Sequence, residues 1–95
     1  MQMKDTKMID ENETILEDWS IVAFCSLPNI QKKYNLEIIP FKKADRRVAF
    51  RIHGDVESAI VEIYANKKVG ISDYMKALRN VRHTIFTLRT LNAQG

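Results

Sequence analysis

Apolar side chains recur along this chain with two different periods, and each change of period marks a new element. From Thr14 to about Leu27 the apolar positions Ile15, Leu16, Trp19, Val22, Ala23 and Leu27 repeat at three- and four-residue spacing, which sets them on one helix face turned to a core. Thr14 and Glu17 stand at capping-box spacing at its start, and Pro28-Asn29 supplies its stop. Over Tyr34 to Phe41 the period falls to two, with Leu36 and Ile38 on one side and Asn35, Glu37 and Ile39 on the other, as an extended strand requires. Pro40 has no amide to give a ladder, so this strand belongs at a sheet edge. Arg47 to His53 alternates again, Val48, Phe50 and Ile52 inward and Arg47, Ala49, Arg51 and His53 outward. The polar run Lys42 to Arg46 joins the two strands as a β-hairpin.

The helical period returns after Gly54-Asp55, which ends the strand and caps a second helix whose stripe is Val56, Ile60, Ile63 and Tyr64. Asn66 suits the left-handed residue that closes it. Ser72 serves as N-cap of a third and longest helix, with Asp73 in its first turn and a stripe of Tyr74, Ala77, Leu78, Val81, Ile85 and Leu88. A two-stranded sheet is marginal unless helices cover one face. The pattern therefore predicts a single α+β domain over residues 14–95 in the order helix, β-hairpin, helix, helix, with three helices packed on one face of a two-stranded antiparallel sheet. Residues 1–13 carry no apolar period and read as a disordered acidic tail.

With 95 residues, 45% of them hydrophobic, the chain can build one core. Its longest apolar run, Ile21 to Cys25, is too short to cross a bilayer, and Met1 to Glu13 has neither the cationic start nor the apolar centre of a signal peptide. Cys25 is the single cysteine, which excludes an internal disulfide and suits a reducing compartment, so a cytoplasmic location is expected.

The formal charge of +3 conceals an asymmetry. Asp5, Asp10, Glu11, Glu13, Glu17 and Asp18 set six acids against Lys4 and Lys7 in the first 18 residues, and from Trp19 onward 13 basic residues face 6 acidic ones. The body of the domain thus carries about +7, which favours an anionic partner, whether nucleic acid or an acidic protein surface, although charge speaks to association rather than to fold.

Catalytic chemistry finds few footholds. Cys25 has no base beside it in sequence and reads as a small core residue. His53 and His83 lack metal-ligand spacing and read as surface histidines, and the acids near the N-terminus read as solvated or helix-capping charges. With Gly54, Gly70 and Gly95 as the only glycines there is no phosphate-binding glycine loop. A non-enzymatic chain without metal or cofactor is the expectation.

Two basic clusters remain. On the hairpin, Lys42, Lys43, Arg46 and Arg47 crowd the tip, and Arg51 continues along the outward face beside Ile39 and Phe41. Such a ribbon could lie against phosphates, and equally such charges protect exposed sheet edges. On the third helix Met75, Arg79, Arg82, Phe86 and Arg89 recur at spacings of four, three, four and three. This mixed cationic and apolar ridge suits nucleic acid or a protein interface. The plainer alternative is that Met75 and Phe86 widen the core stripe while the arginine stems run along its edge.

Four segments, Glu17-Asp18-Trp19-Ser20-Ile21-Val22-Ala23-Phe24, Arg46-Arg47-Val48-Ala49-Phe50-Arg51-Ile52, Tyr64-Ala65-Asn66-Lys67-Lys68-Val69 and Tyr74-Met75-Lys76-Ala77-Leu78-Arg79, are similar to those of a small family of bacteria, archaea, viruses and mobile elements whose function is not established. The shared pattern is an acid before an Ala-Phe helix, a strand with paired aromatics, Tyr-x-Asn, and a final Tyr-x-x-Ala-Leu-Arg helix. The resemblance covers about residues 14 to 90 and departs at Ile52, where a second aromatic would stand. It supplies no functional residues and implies mobile-element or phage-linked biology, including DNA handling or modulation of a host system. The first reading is then a non-enzymatic nucleic-acid-associated accessory protein, with Arg47, Arg51, Arg79, Arg82 and Arg89 contacting DNA or RNA. The second is a protein-interaction module, a small regulator or inhibitor of a host complex, anchored by Met75 and Phe86. A small core with open strand edges adds the expectation of a homodimer.

Overall fold

The computed structural model describes residues 13–94. In chain order its elements are β1 (Glu13–Leu16), α1 (Trp19–Cys25), α2 (Pro28–Lys33), β2 (Glu37–Lys42), β3 (Val48–His53), α3 (Val56–Tyr64) and α4 (Ile71–Gln94). The strands form one antiparallel sheet in the order β1-β3-β2. The domain is α+β, as the periodicity predicts, but with three strands and four helices in place of two and three.

The additional strand is the segment that helical spacing assigns to the start of the first helix. Glu13, read from sequence as tail, is its first residue, and residues 1–12 lie outside the described residues. β1 pairs with β3 in the register Glu13↔His53, Thr14↔Ile52, Ile15↔Arg51 and Leu16↔Phe50. β-branched Thr14 and Ile15 fit an extended backbone. Leu16 packs against the core while Ile15, on the opposite face, stays 54% exposed. Thr14 and Glu17 consequently form no capping box. The N-cap is Asp18, whose carboxylate accepts from the backbone N–H groups of Ser20 at 3.0 Å and Ile21 at 3.4 Å.

The additional helix comes from Pro28. As well as stopping α1, it opens α2 at the first helical position, where its missing N–H is an orphan in any case and its fixed φ suits the turn. Tyr34 then lies in a turn rather than in the strand, and Asn35 at φ 54° reverses the chain into β2. Pro40 sits on an edge strand, as its missing amide requires. β3 is therefore central, and its Val48, Phe50 and Ile52 are buried with Val22, Ile30, Val56 and Val81 of the four helices. Ala49, which points outward by alternation, is nevertheless fully buried. It lies opposite Phe41 on the central strand.

Asp55 caps α3 by accepting from the Ser58 N–H at 3.2 Å, and Asn66 closes it at φ 64°, both as the sequence indicates. α4 begins at Ile71, one residue before Ser72, because the Gly70 carbonyl already accepts from the Tyr74 N–H at 3.0 Å. Ser72 is thus inside the first turn and not its cap.

Two contacts hold the α2–β2 turn to the rest. Gly54 has φ +119°, and a Cβ there would stand 2.5 Å from the Asn35 carbonyl oxygen. On α3, the Glu62 carboxylate accepts from Lys33 Nζ at 2.7 Å and from the Tyr34 hydroxyl. The Lys33 bond first, then Tyr34, holds the Glu62 carboxyl below the usual carboxylate range, and the same carboxylate holds the Tyr34 hydroxyl above the usual phenol range.

Gly54→Ala is expected to lower stability by about 1–3 kcal/mol, through the close carbonyl contact and the strained φ, read as a shift of the urea midpoint. The Glu62 carboxyl titrates lower in the folded chain than in the unfolded one, so its contribution is complete above the ordinary carboxylate range and disappears as pH falls through the folded value. Between about pH 5 and pH 2 the parent chain should therefore lose stability more steeply than Glu62→Gln, whose midpoint is already lower at neutral pH. Equal slopes in the two chains would show that this carboxylate does not drive the acid limb.

Candidate functional site

α4 has 24 residues, about 36 Å of helix, and is long enough to run along α1 and on past the start of β3. The Tyr74 hydroxyl, in its first turns, donates to the Ser20 carbonyl at 2.9 Å and pins that end to the start of α1. Ala77 and Val81 are buried against α1 and the sheet, with Leu78, Ile85 and Leu88 packed beside them. The face next to this stripe brings the C-terminal half of α4 toward the hairpin. There Glu17, Trp19, Arg47, Val48, Arg82, Ile85, Phe86 and Arg89 enclose an open cleft of about 330 Å³.

The hairpin wall is set by a tight turn. The Lys43 N–H donates to the Arg47 carbonyl at 2.8 Å, the Arg46 N–H to the Lys43 carbonyl at 2.9 Å, and the Arg47 N–H to the Asp45 carboxylate at 3.1 Å. This turn holds Arg46 at φ 75°, a left-handed position that glycine fills without strain and arginine seldom occupies. The tip thus keeps a cation where its backbone favours glycine. The helix wall follows from spacing, since Arg82, Phe86 and Arg89 fall four and three apart on one face of α4. The Arg82 guanidinium lies over the Trp19 indole, 5.6 Å from its centroid, in a cation–π contact. Trp19 remains 45% exposed and Phe86 67%.

Glu17 is the one acid in the cleft lining. Its carboxylate is engaged by Lys43 and by Arg47 at 3.2 Å, and chiefly the Lys43 hydrogen bond holds it below the usual carboxylate range. Lys42, at the adjoining end of β2, is pushed below the usual lysine range, first by burial and then by the like charges of Arg46 and Arg89. Arg82 and Arg89 have no ion-pair partner among the described residues. The cleft is therefore a place where positive charges crowd one another.

Of the residues singled out from sequence, the cleft collects Arg47, Arg82, Phe86 and Arg89, joining the hairpin cluster to the helix cluster. Arg51 stands elsewhere. It lies at the centre of the helix-free sheet face, ion-paired with Glu13 and stacked 4.9 Å over the Phe41 ring. Arg79 and Met75 are exposed on α4 toward its N-terminus and do not line the cleft. Sequence reasoning missed Trp19, which fits the helical stripe and reads as core. The signal that locates it is Asp18, because an N-cap there makes Trp19 the first helical residue, and side chains at a helix start tilt back beyond its end. Glu17 also belongs to the site, through long-range pairs with Lys43 and Arg47 that no local pattern reports.

A larger groove of about 630 Å³ runs between the α1–α2 turn, β2 and the N-terminal half of α4. Its lining is apolar with amides and hydroxyls, and its charged groups are Asp73 and Lys76, one of each sign. It is roomier than the cleft but lacks the convergence of charge. Cys25 is fully buried, and burial pushes its thiol up to about 11, so it is protonated at neutral pH. Among the described residues no three His, Cys, Asp or Glu side chains come together as metal ligands do, and no helix is long and apolar enough to cross a membrane. No family model, curated protein or solved structure matches this chain.

Proposed function

We propose that the chain is a non-enzymatic nucleic-acid-associated accessory protein that receives the sugar-phosphate backbone at the cleft between the hairpin and α4. The observation that carries this reading is the convergence of Arg47, Arg82 and Arg89, with Lys42 and Arg46 beside them, around a single acid that is already neutralised. Guanidinium groups suit phosphate oxygens, and a polyanion binding there gains free energy by releasing its condensed counterions. Arg79 adds an exposed cation further along α4. Arg51 contributes less, because Glu13 already holds it.

One observation favours a protein-interaction module instead. Met75 and Phe86 are 54% and 67% exposed on α4, and large apolar side chains flanked by arginine are the anchors that interfaces bury. In that reading they would dock a host protein or a second copy of this chain.

Reversing charge at Arg82 and Arg89 together is expected to weaken nucleic-acid binding at low salt by roughly tenfold or more, and to flatten the slope of log affinity against log salt by about 0.7–0.9 for each phosphate that is no longer neutralised. Circular dichroism should be unchanged, since both side chains are exposed. Glu17→Gln should tighten binding in the same series by releasing Lys43 and Arg47, and Arg51→Glu should weaken it less than the α4 pair. Fluorescence anisotropy at several salt concentrations measures all of these. No binding to DNA or RNA even at low salt would sink the reading and favour the protein interface.

A further inference from the structure

We infer that the cleft takes an unpaired nucleobase together with its phosphate, so that the chain prefers single-stranded to duplex nucleic acid; this deepens the nucleic-acid reading above and rests on it. Phosphates need only the cations. What they leave unused is the pair of aromatic rings set among those cations, Trp19 at 45% and Phe86 at 67% exposure. Phe86 lies between Arg82 and Arg89 along α4, whose positions are about 10 Å apart on the helix axis, and Arg82 stacks on Trp19. A planar base set against Phe86 meets a ring on one side and guanidinium groups at both ends, with Arg47 across the cleft. Such a combination of stacking surface and cationic track is how sequence-tolerant single-strand sites are built.

A duplex cannot use that surface. Its base faces are covered by their neighbours, and presenting one to the Phe86 ring requires unstacking and unpairing, at a free-energy cost that a single strand does not bear. The cleft, at about 330 Å³, lies at the small end of ligand clefts, which run from about 300 to 1,000 Å³. It has room for a base and its phosphate, not for a helix of paired strands.

The lining also bears on selectivity. It contains no Asn, Gln, Ser, Thr or His, its arginines are the groups already assigned to phosphate, and its one carboxylate is occupied by Lys43 and Arg47. Stacking without edge recognition is tolerant of base identity.

Trp19 is the sole tryptophan, so its emission reports on the site directly. The full-length protein is titrated with oligodeoxythymidine, with oligouridine and with a mixed-sequence DNA duplex of the same length, at one low salt concentration. The expected result is saturable quenching of Trp19 by both single strands, with affinity roughly tenfold or more above that for the duplex. Phe86→Ala should remove most of that preference by weakening single-strand binding far more than duplex binding, and Phe86→Tyr, which keeps the ring, should retain it. The exposure of Phe86 allows both variants to fold, which circular dichroism checks. Equal affinity for single strands and duplex, binding without any change in Trp19 emission, or an equal loss on the duplex in Phe86→Ala would overturn base stacking and leave the nucleic-acid reading standing. Absence of binding to all three ligands would remove both.

Discussion

The antiparallel pairing of β1 with β3 is the contact on which the rest of the molecule depends. A two-stranded hairpin of β2 and β3 would be marginal by itself, and four further residue pairs along Glu13–Leu16 make β3 a central strand with both ladders satisfied. Val48, Phe50 and Ile52 then present a continuous apolar row to the helices. The same register sets where α1 begins. With Leu16 opposite Phe50, only Glu17 and Asp18 remain to turn the chain before Trp19. Glu17 is thereby brought to Lys43 and Arg47, and Trp19 to Arg82. One wall of the cleft is therefore a by-product of strand pairing.

The acids, more than the arginines, determine where the positive field lies. Glu13 holds Arg51, Glu17 holds Lys43 and Arg47, and Glu62 gathers Lys33 and Lys67. Whatever each pair contributes to stability, it removes cations from the field seen by a distant anion. Of the cations without an ion pair among the described residues, Arg82, Arg89, Arg46 and Lys42 gather around the cleft, while Lys32, Lys68, Lys76 and Arg79 lie elsewhere. Lys42 is held below the usual lysine range first by burial, and the like charges of Arg46 and Arg89 lower it further.

Periodicity makes the α+β class, the hairpin, the inward row of β3, the Asp55 cap and the Asn66 closure legible in the sequence, because each depends on neighbours within a few residues. β1 is hidden because four residues cannot display a strand period convincingly, and Ile15, Leu16 and Trp19 satisfy a helical spacing that Asp18 interrupts. α2 is hidden because Pro28 reads equally as a stop and as a first helical residue. The acids of the N-terminal segment read as solvated or helix-capping charges, which fits Asp18 at the amides of α1, whereas Glu13 and Glu17 find long-range partners in Arg51 and the hairpin tip. Four of the cleft's side chains are visible in the sequence as members of two separate clusters. That they share one site depends on α4 crossing beside β3, a contact between residues more than thirty positions apart.

Cys25 gives the molecule a built-in clock. Its sulfur is fully buried in α1, and as the single thiol in the chain it cannot be confused with another. An alkylating reagent reaches it only in molecules that have opened, so the appearance of label counts opening events rather than surface chemistry. Because the helix that carries it begins at the rim of the cleft, any occupant that favours the closed molecule slows the clock by mass action, and the delay measures occupancy without a tag on either partner.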